Sequence, residues 1–477
     1  MILRHFYHND LAQASYLVGC AATGEALIVD PNRDAQQYID LAEREGLTIT
    51  KITETHIHAD YVSGARELAV RTGATLYLSK EGTDDWQYGF ANDSGAVLIG
   101  EGDTIWVGNI KVDVMHTPGH TPEHISFLVT DTAGADKPMG IFTGDFVFVG
   151  DVGRPDLLEK AAGFANTMED GGRQLFKSLE RFKKLDDYVQ IWPGHGAGSP
   201  CGKALGAVPQ STVGYERLFN WAFQIATEDE FVKAVLEDQP EPPVYFAQMK
   251  HVNKVGPALT GDLGTPVKKS VTDINAALTA QQPIADLRSP ETYAEGHVPG
   301  TINIPYAKGF VIWAGWLLPY DRPFHVIADE QQIAEITHEL RMIGLDTLEN
   351  YWTPDVIDQW KSAGNELGAI TQVTVDQLDN IAEYQVVDVR GAAEHADGHI
   401  PGSQNIPVGY VGDKLSEIPT DRPAVFQCQT GRRSAMAASV AAAHGRTDIY
   451  NLVGGFSAWE ESGRPVETSR EPVTAAS

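Results

Sequence analysis

Four turns in the first 200 residues carry histidine and aspartate side chains in a pattern that can bind a metal ion. Each turn directly follows a short apolar run that is typical of a strand. A ligand at the end of a strand is anchored by the sheet and can still meet other ligands across a cleft. Neutral imidazole nitrogen and carboxylate oxygen suit first-row divalent metals. The four turns are Thr55-His-Ile-His-Ala-Asp-Tyr61, His116-Thr-Pro-Gly-His120, Phe142-Thr-Gly-Asp145 and Trp192-Pro-Gly-His195.

A cysteine near the C-terminus lies in a pattern that suits nucleophilic sulfur chemistry. The segment Ala424-Val-Phe-Gln-Cys428-Gln-Thr-Gly-Arg-Arg-Ser434 predicts a strand, a tight loop and a helix. Backbone N–H groups and the dipole of the following helix stabilise an anionic sulfur at Cys428. Gly431 permits the tight turn and Arg433 adds positive charge. We therefore predict that Cys428 holds a transferable sulfur atom in this loop.

A second cysteine, Cys201, follows His195 on the glycine-rich segment Gly196-Ala-Gly-Ser-Pro-Cys201-Gly. Its place close to the fourth turn allows it to act as a persulfide relay. Free cysteines are also commonly buried and inert. Both interpretations of Cys201 stay open, whereas Cys20 lies in a strand-like run and is expected in the core.

Strand-like runs alternate with helical segments along the chain, which predicts an α/β protein with several domains. The 477 residues correspond to two to four domains. Residues 285–305 recur as residues 387–407 in a gapless register, so the second part of the chain is an internal repeat. We expect domains at residues 1–250, 266–366 and 371–470.

Charge and cysteine content exclude several classes of protein. The formal net charge is −29, which repels nucleic acid and anionic membranes, so we expect neither as a partner. The N-terminal residues lack the apolar core of a signal peptide, and no apolar run reaches the length of a membrane span. Three widely spaced cysteines form no disulfide framework. We expect a cytoplasmic protein.

The metal-binding turns resemble those of the metallo-β-lactamase superfamily. That resemblance implies an αββα sandwich with the metal between two sheets. The dinuclear zinc hydrolases of this superfamily, glyoxalase II among them, carry a further histidine directly after the aspartate of the first turn. This chain has Tyr61 at that position. A second metal would lose a nitrogen ligand there, which disfavours a binuclear hydrolase.

Within that superfamily, the first three turns and Gly153-Arg-Pro-Asp156 resemble the persulfide dioxygenase branch. The resemblance implies one Fe(II) per chain, held by His56, His120 and Asp145. Two histidines and one carboxylate leave three coordination positions open for a sulfur ligand and O₂. The other candidate residues would then orient the ligands or line the pocket. They are His58, Asp60, Tyr61, Arg154 and His195.

The cysteine loop and its flanking motifs resemble rhodanese, which implies that Cys428 accepts a sulfane sulfur and passes it on. In the first copy of the repeat, the cysteine position falls on Ala328 or Asp329, and the chain has no cysteine between Cys201 and Cys428. We interpret residues 266–366 as a rhodanese-like domain that cannot carry sulfur. It would serve as a spacer or docking surface or, alternatively, bind the tail of a substrate.

The expected fold is thus an α/β multidomain protein, with the αββα sandwich followed by two rhodanese-like α/β domains. The resemblance implies that thiol persulfides and O₂ give sulfite, and that Cys428 transfers a sulfur atom to sulfite to give thiosulfate. The transfer could also proceed in the reverse direction, from thiosulfate to a thiol. We expect a homo-oligomer. One alternative is a zinc-dependent thioester hydrolase of glyoxalase II type with an independent rhodanese. Another is a non-enzymatic persulfide carrier or sensor.

Overall fold

The computed structural model describes residues 1–160, 167–203, 205–237, 239 and 241–469. Contacts divide the chain into two compact units. The first unit is Met1–Leu263 with Arg341–Gly344, and the second is Gly264–Leu340 with Leu345–Ser477. The domain boundaries expected from the sequence stay predictions, and Arg470, the expected end of the last domain, lies outside the described residues. Among the helices of the described ranges, none has both the length and the apolar character to span a bilayer.

Two six-stranded sheets form the first unit, and in each sheet the strands lie side by side in chain order. The first sheet contains β1 (Ile2–His8), β2 (Gln13–Cys20), β3 (Glu25–Val29), β4 (Thr48–Thr53), β5 (Thr75–Ser79) and β6 (Val97–Ile99). The second contains β7 (Thr104–Val107), β8 (Ile110–His116), β9 (Ile125–Asp131), β10 (Gly140–Gly144), β11 (Gln190–Pro193) and β12 (Ser211–Thr212).

The two sheets pack face to face through alternating apolar residues, as a period of two predicts. Val18 and Leu27 of the first sheet share one buried cluster with Val112, Phe127 and Phe142 of the second. The turns that follow β4, β8, β10 and β11 lie together at one edge of the two packed sheets. This edge receives the histidines and aspartates of the four predicted turns.

Helices cover both outer faces of the sandwich, which confirms the predicted αββα arrangement. Helix Ala35–Arg44 buries Tyr38 against the first sheet, and helix Met168–Phe182 buries Leu175 and Leu179 against the second. The remaining helices of this unit are Ala65–Thr72, Leu157–Lys160, Val213–Phe219, Trp221–Gln224, Glu228–Leu236 and Tyr245–Val255.

The second unit contains two five-stranded parallel sheets with the same strand order. The first of them is β13 (Val267–Lys268), β14 (Ile284–Asp286), β15 (Ile302–Asn303), β16 (Phe324–Ile327) and β17 (Leu348–Trp352). The other is β18 (Thr371–Val373), β19 (Gln385–Asp388), β20 (Gln404–Asn405), β21 (Ala424–Gln427) and β22 (Ile449–Leu452). Helices complete the unit at Val271–Thr279, Pro290–Glu295, Phe310–Leu317, Ile333–Met342, Val356–Ser362, Ala392–Asp397, Arg432–Ala443 and Gly455–Glu461.

The repeated motif has a structural role in both halves of this unit. Arg390 donates to Asp388 Oδ2 at 2.7 Å and to the Gly398 carbonyl at 2.7 Å. In the first half, Arg288 makes the matching bonds to Asp286 at 2.6 Å and to the Gly296 carbonyl. A bidentate arginine–carboxylate pair of this kind fixes the strand end to the next turn. The repeat thus preserves a scaffold whether or not a cysteine is present.

Candidate metal centre and sulfur-binding loop

Three side chains from three of the predicted turns meet at the open edge of the sandwich. The donor atoms of His56, His120 and Asp145 all lie within 4.8 Å of one another, and all three residues are buried. Asp145 Oδ2 is 3.6 Å from His120 Nε2 and 4.0 Å from His56 Nε2. Two atoms that share one ion at bonds of about 2.0–2.2 Å can be at most about 4.4 Å apart. The measured distances therefore fit a common ion.

The backbone and a hydroxyl hold both imidazoles by the nitrogen that faces away from Asp145. His120 Nδ1 lies 3.1 Å from the Arg154 carbonyl, which can only accept, so Nδ1 carries the hydrogen. His56 Nδ1 lies 3.0 Å from Thr55 Oγ1. Burial is the main cause that lowers the pKa of both histidines, although Asp145 opposes it at His120. Neutral imidazoles with a free Nε2 are the form that binds metal.

The carboxylate of Asp145 tests whether the site suits a cation. Asp145 is 1% exposed, and among the described residues neither of its oxygens has a hydrogen-bond partner. An anionic carboxylate in that state is costly unless a cation lies against it. Two neutral nitrogens and one unpaired carboxylate therefore fit a divalent metal ion.

His58 and Tyr61, two residues of the first turn, point to Asp30 and not to the three donors. His58 Nε2 lies 3.1 Å from Asp30 Oδ1, and the Tyr61 hydroxyl donates to the Asp30 carbonyl at 3.3 Å. Burial acts to lower the pKa of His58, but the Asp30 carboxylate raises it to about 9. Asp30 also accepts a hydrogen bond from the Thr55 backbone N–H at 2.6 Å. The contacts of Asp30 with Thr55 and His58 therefore fix the backbone of the first turn on the side away from the three donors.

Asp60, His195 and Cys201 form a second group of buried donors beside the first, with donor atoms within 4.8 Å of one another. His195 Nε2 is 3.1 Å from Asp60 Oδ2 and 3.5 Å from Asp145 Oδ1. Burial raises the pKa of the Cys201 thiol to about 12 although His195 opposes that rise. The structure thus places Cys201 beside Asp60 and His195, at the same edge of the sandwich as the first group of donors.

Arg154 is fully buried and its guanidinium is engaged by protein groups. It donates to both carboxylate oxygens of Asp156 at 2.8 and 2.7 Å and to the Pro200 carbonyl at 2.8 Å. Its own carbonyl faces His120 Nδ1. Arg154 therefore ties the loop that bears Cys201 to the segment that orients a metal-binding histidine.

The predicted sulfur loop has the expected strand, turn and helix. Cys428 follows β21 directly and is 1% exposed. Its Sγ accepts from the Gly431 backbone N–H at 3.2 Å and from Ser434 Oγ at 3.6 Å. Gly431 has a φ of +95° and begins the helix Arg432–Ala443, so the turn requires a glycine. The two donors can stabilise a negative charge on the sulfur.

Arg433 lies beside this loop in a bidentate pair with Glu394, at 2.7 and 2.8 Å. The pair fixes the first turn of the helix, and part of the positive charge predicted for the loop is neutralised there. In the first half of the unit, the residue directly after the matching strand β16 is Ala328, which selects Ala328 over Asp329 as the counterpart of Cys428. Asp329 and Glu330 follow it, both exposed.

Sequence reasoning missed His124, which supports the metal-binding group. His124 Nε2 accepts from the Asp145 backbone N–H at 3.1 Å, and its Nδ1 faces Thr117 Oγ1 at 2.9 Å. The ring stacks on that of His56 with centroids 5.0 Å apart. Its spacing of four residues from His120 was the available signal. Asp30 and Ser434 were missed because each depends on a contact that the sequence does not display.

Comparisons with known proteins agree with this architecture. Residues 8–195 match the metallo-β-lactamase superfamily, and residues 371–462 match the rhodanese-like domain. A solved structure titled metallo-β-lactamase from Staphylococcus aureus subsp. aureus COL is 50% identical, with a TM-score of 0.69, and the match covers 74% of this chain and 99% of that chain. The chain belongs to the metallo-β-lactamase superfamily and carries a rhodanese-like domain, which confirms the predicted fusion.

Two further similarities are more distant. A hydroxyacylglutathione hydrolase of Rhodospirillum rubrum is 30% identical over 190 residues, which are 39% of this chain and 62% of that relative. The chain thus spans less than two thirds of the length of this relative. The structure of ETHE1 from Myxococcus xanthus is 26% identical, with a TM-score of 0.44, and covers 53% of this chain and 98% of that chain. The two matched domains mark this chain as an enzyme with a metal-binding fold.

Proposed function

We propose that the enzyme oxidises low-molecular-weight thiol persulfides with O₂ to sulfite, at one Fe(II) per chain, and transfers sulfane sulfur through Cys428 to give thiosulfate. The observation that carries this proposal is the group of His56, His120 and Asp145. Two neutral imidazoles and one carboxylate are typical of non-heme iron oxygenases. The rhodanese-like domain on the same chain supports a sulfur substrate.

The residues of the first unit would hold and orient the reactants. When bound, Fe(II) supplies open coordination positions and redox chemistry for the reaction of a persulfide sulfur with O₂. Thr55 and the Arg154 carbonyl keep both imidazoles in the orientation that presents Nε2. In the net reaction, persulfide, O₂ and water give the thiol, sulfite and two protons.

Cys428 would perform the sulfur transfer in two displacements. Its thiolate attacks the outer sulfur of a thiol persulfide, the donor S–S bond breaks, and the thiol leaves with a proton. Sulfite then attacks the outer sulfur on Cys428, which releases thiosulfate and restores the thiolate. The Gly431 N–H and the Ser434 hydroxyl lie at hydrogen-bond distance from the sulfur that carries the charge. The same displacements in reverse convert thiosulfate and thiol to persulfide.

We also propose that the enzyme acts in the cytoplasm as a homo-oligomer, with small thiol persulfides, O₂ and sulfite or thiosulfate as its reactants. These proposals rest on the three unpaired cysteines, the acidic net charge and the resemblance to persulfide dioxygenases. Gel filtration of the full chain tests the oligomeric state.

An oxygen electrode with simultaneous sulfite and thiosulfate measurement tests the proposed activity. We expect wild type to consume O₂ on glutathione or coenzyme A persulfide and to form thiosulfate. Cys428→Ser should still consume O₂ but accumulate sulfite, because only the transfer step needs that thiol. Cys20→Ser is the matched control and should behave as wild type. O₂ uptake that survives His56→Ala would contradict the assigned metal ligands.

A zinc-dependent thioester hydrolase is the second candidate function. The similarity to a hydroxyacylglutathione hydrolase favours it. Purified protein that contains zinc, hydrolyses glutathione thioesters and takes up no O₂ with persulfides would establish this candidate and refute the dioxygenase.

A further inference from the structure

A cavity of about 420 Å³ adjoins the sulfur-binding loop of the second unit. Gly431 and Arg432 of the loop line this cavity, and so do Glu291 and Glu295 of the helix Pro290–Glu295. Its volume lies within the range of about 300–1,000 Å³ that is common for small-molecule sites. The half of the unit that has no cysteine therefore contributes side chains to a cavity beside the loop of the other half.

Both walls of the cavity are held in place by packing and hydrogen bonds. Ala294 of the helix shares a buried cluster with Cys428 and Met436. The Ile370 backbone N–H donates to the Ala294 carbonyl at 3.0 Å, which ties the helix to the segment that enters the second half. On the loop side, Gly431 donates its backbone N–H to Cys428 Sγ at 3.2 Å. A molecule in the cavity therefore lies against the residue that stabilises the charged sulfur.

Three residues with hydrogen-bond acceptors line the cavity. Glu291 and Glu295 are both exposed, and their spacing of four residues places them on one face of the helix. Asn451 is 4% exposed, and its Nδ2 donates to Gln372 Oε1 at 2.8 Å. Among the described residues, the buried Asn451 Oδ1 has no hydrogen-bond partner, which costs free energy until a donor reaches it. Two carboxylates and an amide oxygen suit an ammonium group, which has three donors and no acceptor.

Arg432 gives the same cavity a positive charge. Its neighbour Arg433 is neutralised by the bidentate pair with Glu394, at 2.7 and 2.8 Å. Arg432, in contrast, is exposed and lines the cavity. A guanidinium can bind a carboxylate through two parallel hydrogen bonds. The cavity thus presents acceptors for an ammonium group and donors for a carboxylate, which are the two charged groups of an α-amino acid.

We propose that this cavity selects thiol persulfides that carry an α-amino acid group, such as those of cysteine or of a small peptide thiol. Glu291, Glu295 and Asn451 bind the ammonium group of the persulfide. Arg432 binds its carboxylate. The two glutamates are therefore specificity-determining residues for the donor that loads Cys428. This inference rests on the proposed sulfur transfer at Cys428.

Thiosulfate formation from a persulfide and sulfite in the absence of O₂ tests this selection on the full chain, because the oxidation step is then silent. Cysteine persulfide and 3-mercaptopropionate persulfide differ only in the ammonium group. After subtraction of the rate measured with Cys428→Ser, we expect wild type to show a kcat/KM about tenfold higher for cysteine persulfide, the effect of one charge-assisted hydrogen bond. The difference should lie in KM, because the ammonium group takes no part in the displacement.

Glu291→Gln/Glu295→Gln should bring the ratio of the two kcat/KM values close to one, because the neutral amides no longer attract the ammonium group. Glu335→Gln/Glu461→Gln is the matched control. It removes two exposed carboxylates from other helices of the same unit and should keep the wild-type ratio.

Arg432→Gln gives a second measure that does not depend on the folding of the glutamate variant. Wild type should also prefer cysteine persulfide over cysteamine persulfide, which lacks the carboxylate. In Arg432→Gln that preference should fall close to one, because the guanidinium is lost.

Equal kcat/KM values of wild type for cysteine persulfide and 3-mercaptopropionate persulfide would overturn the inference. A preference that survives in both Glu291→Gln/Glu295→Gln and Arg432→Gln would do the same. A wild type that forms no Cys428-dependent thiosulfate from any persulfide would refute the proposed transfer itself, and the inference with it. The two failures are thus distinguishable.

Discussion

Replacement of Arg154 by methionine should destabilise the first unit, because it removes the guanidinium that pairs with the buried Asp156 carboxylate. Arg154 and Asp156 are 0% and 1% exposed, and their bidentate bonds measure 2.8 and 2.7 Å. Loss of one partner of such a buried pair costs about 3–5 kcal/mol. The bond to the Pro200 carbonyl is lost as well. The cost measures the loss of the guanidinium beside a buried carboxylate and not the net contribution of the ion pair to folding.

Differential scanning calorimetry of the full chain measures this effect. A loss of about 3–5 kcal/mol in a unit of this size lowers its transition temperature by about 6–20 °C, at roughly 2–4 °C per kcal/mol. The transition of the second unit should stay in place, since the affected contacts all lie in the first unit. Calorimetry can resolve two transitions where the units unfold separately, whereas a single unfolding midpoint cannot.

Two further variants decide whether the reasoning is correct. Arg154→Met/Asp156→Leu removes both charges and should recover a large part of the lost stability, because the buried carboxylate is removed together with the guanidinium. Arg4→Met is the control, since Arg4 pairs with Glu45 at the surface and should change stability by at most about 1 kcal/mol. A shift below about 2 °C for Arg154→Met, or no recovery in the double variant, would refute the argument.

Two other predictions follow from individual contacts. Gly194→Ala should lower the metal content of the protein at least tenfold by elemental analysis, because a Cβ at this position would lie 2.7 Å from Asp145 Oδ1. Gly196→Ala is the control, since a Cβ there meets only the hydroxyl end of the Tyr7 side chain. Equal metal content in the two variants would contradict the prediction. Burial lowers the pKa of Lys250 from 10.5 to about 8, against the opposing effect of Glu123. Between pH 8 and 10 the unfolded chain therefore binds more protons than the folded chain. In urea unfolding experiments, the free energy of unfolding of wild type should rise relative to that of Lys250→Met as the pH increases through that range. A difference that stays constant with pH would contradict the pKa shift.

The strand-end motifs explain why much of the candidate site could be predicted from the sequence. His56, His120 and Asp145 each follow a strand of the sandwich, and strand ends on one edge of packed sheets converge. The local pattern of Cys428 and Gly431 likewise defines a loop whose donors come from its own backbone. Such features depend on short-range geometry, which residue type and spacing largely determine.

Other features depend on contacts between distant segments. The orientation of His195 depends on the Ala12 carbonyl, 183 positions away in the chain. The sequence left open whether Cys201 is a relay or inert and whether Tyr61 orients the ligands or lines the pocket. Both questions concern side-chain direction after the loops pack, and loops have no periodicity from which to predict it.

The sequence by itself determined which histidines and aspartates follow the strands of the sandwich, the loop that carries Cys428, the repeat and the absence of a cysteine from its first copy. Only the tertiary structure decided three contacts. Arg154 forms an ion pair with Asp156, and the Tyr61 hydroxyl donates to the Asp30 carbonyl. Cys201 lies beside Asp60 and His195. The reason is that a motif specifies which donors are available at a strand end. Which of them meet depends on how whole sheets and loops pack, and that is a property of the complete chain.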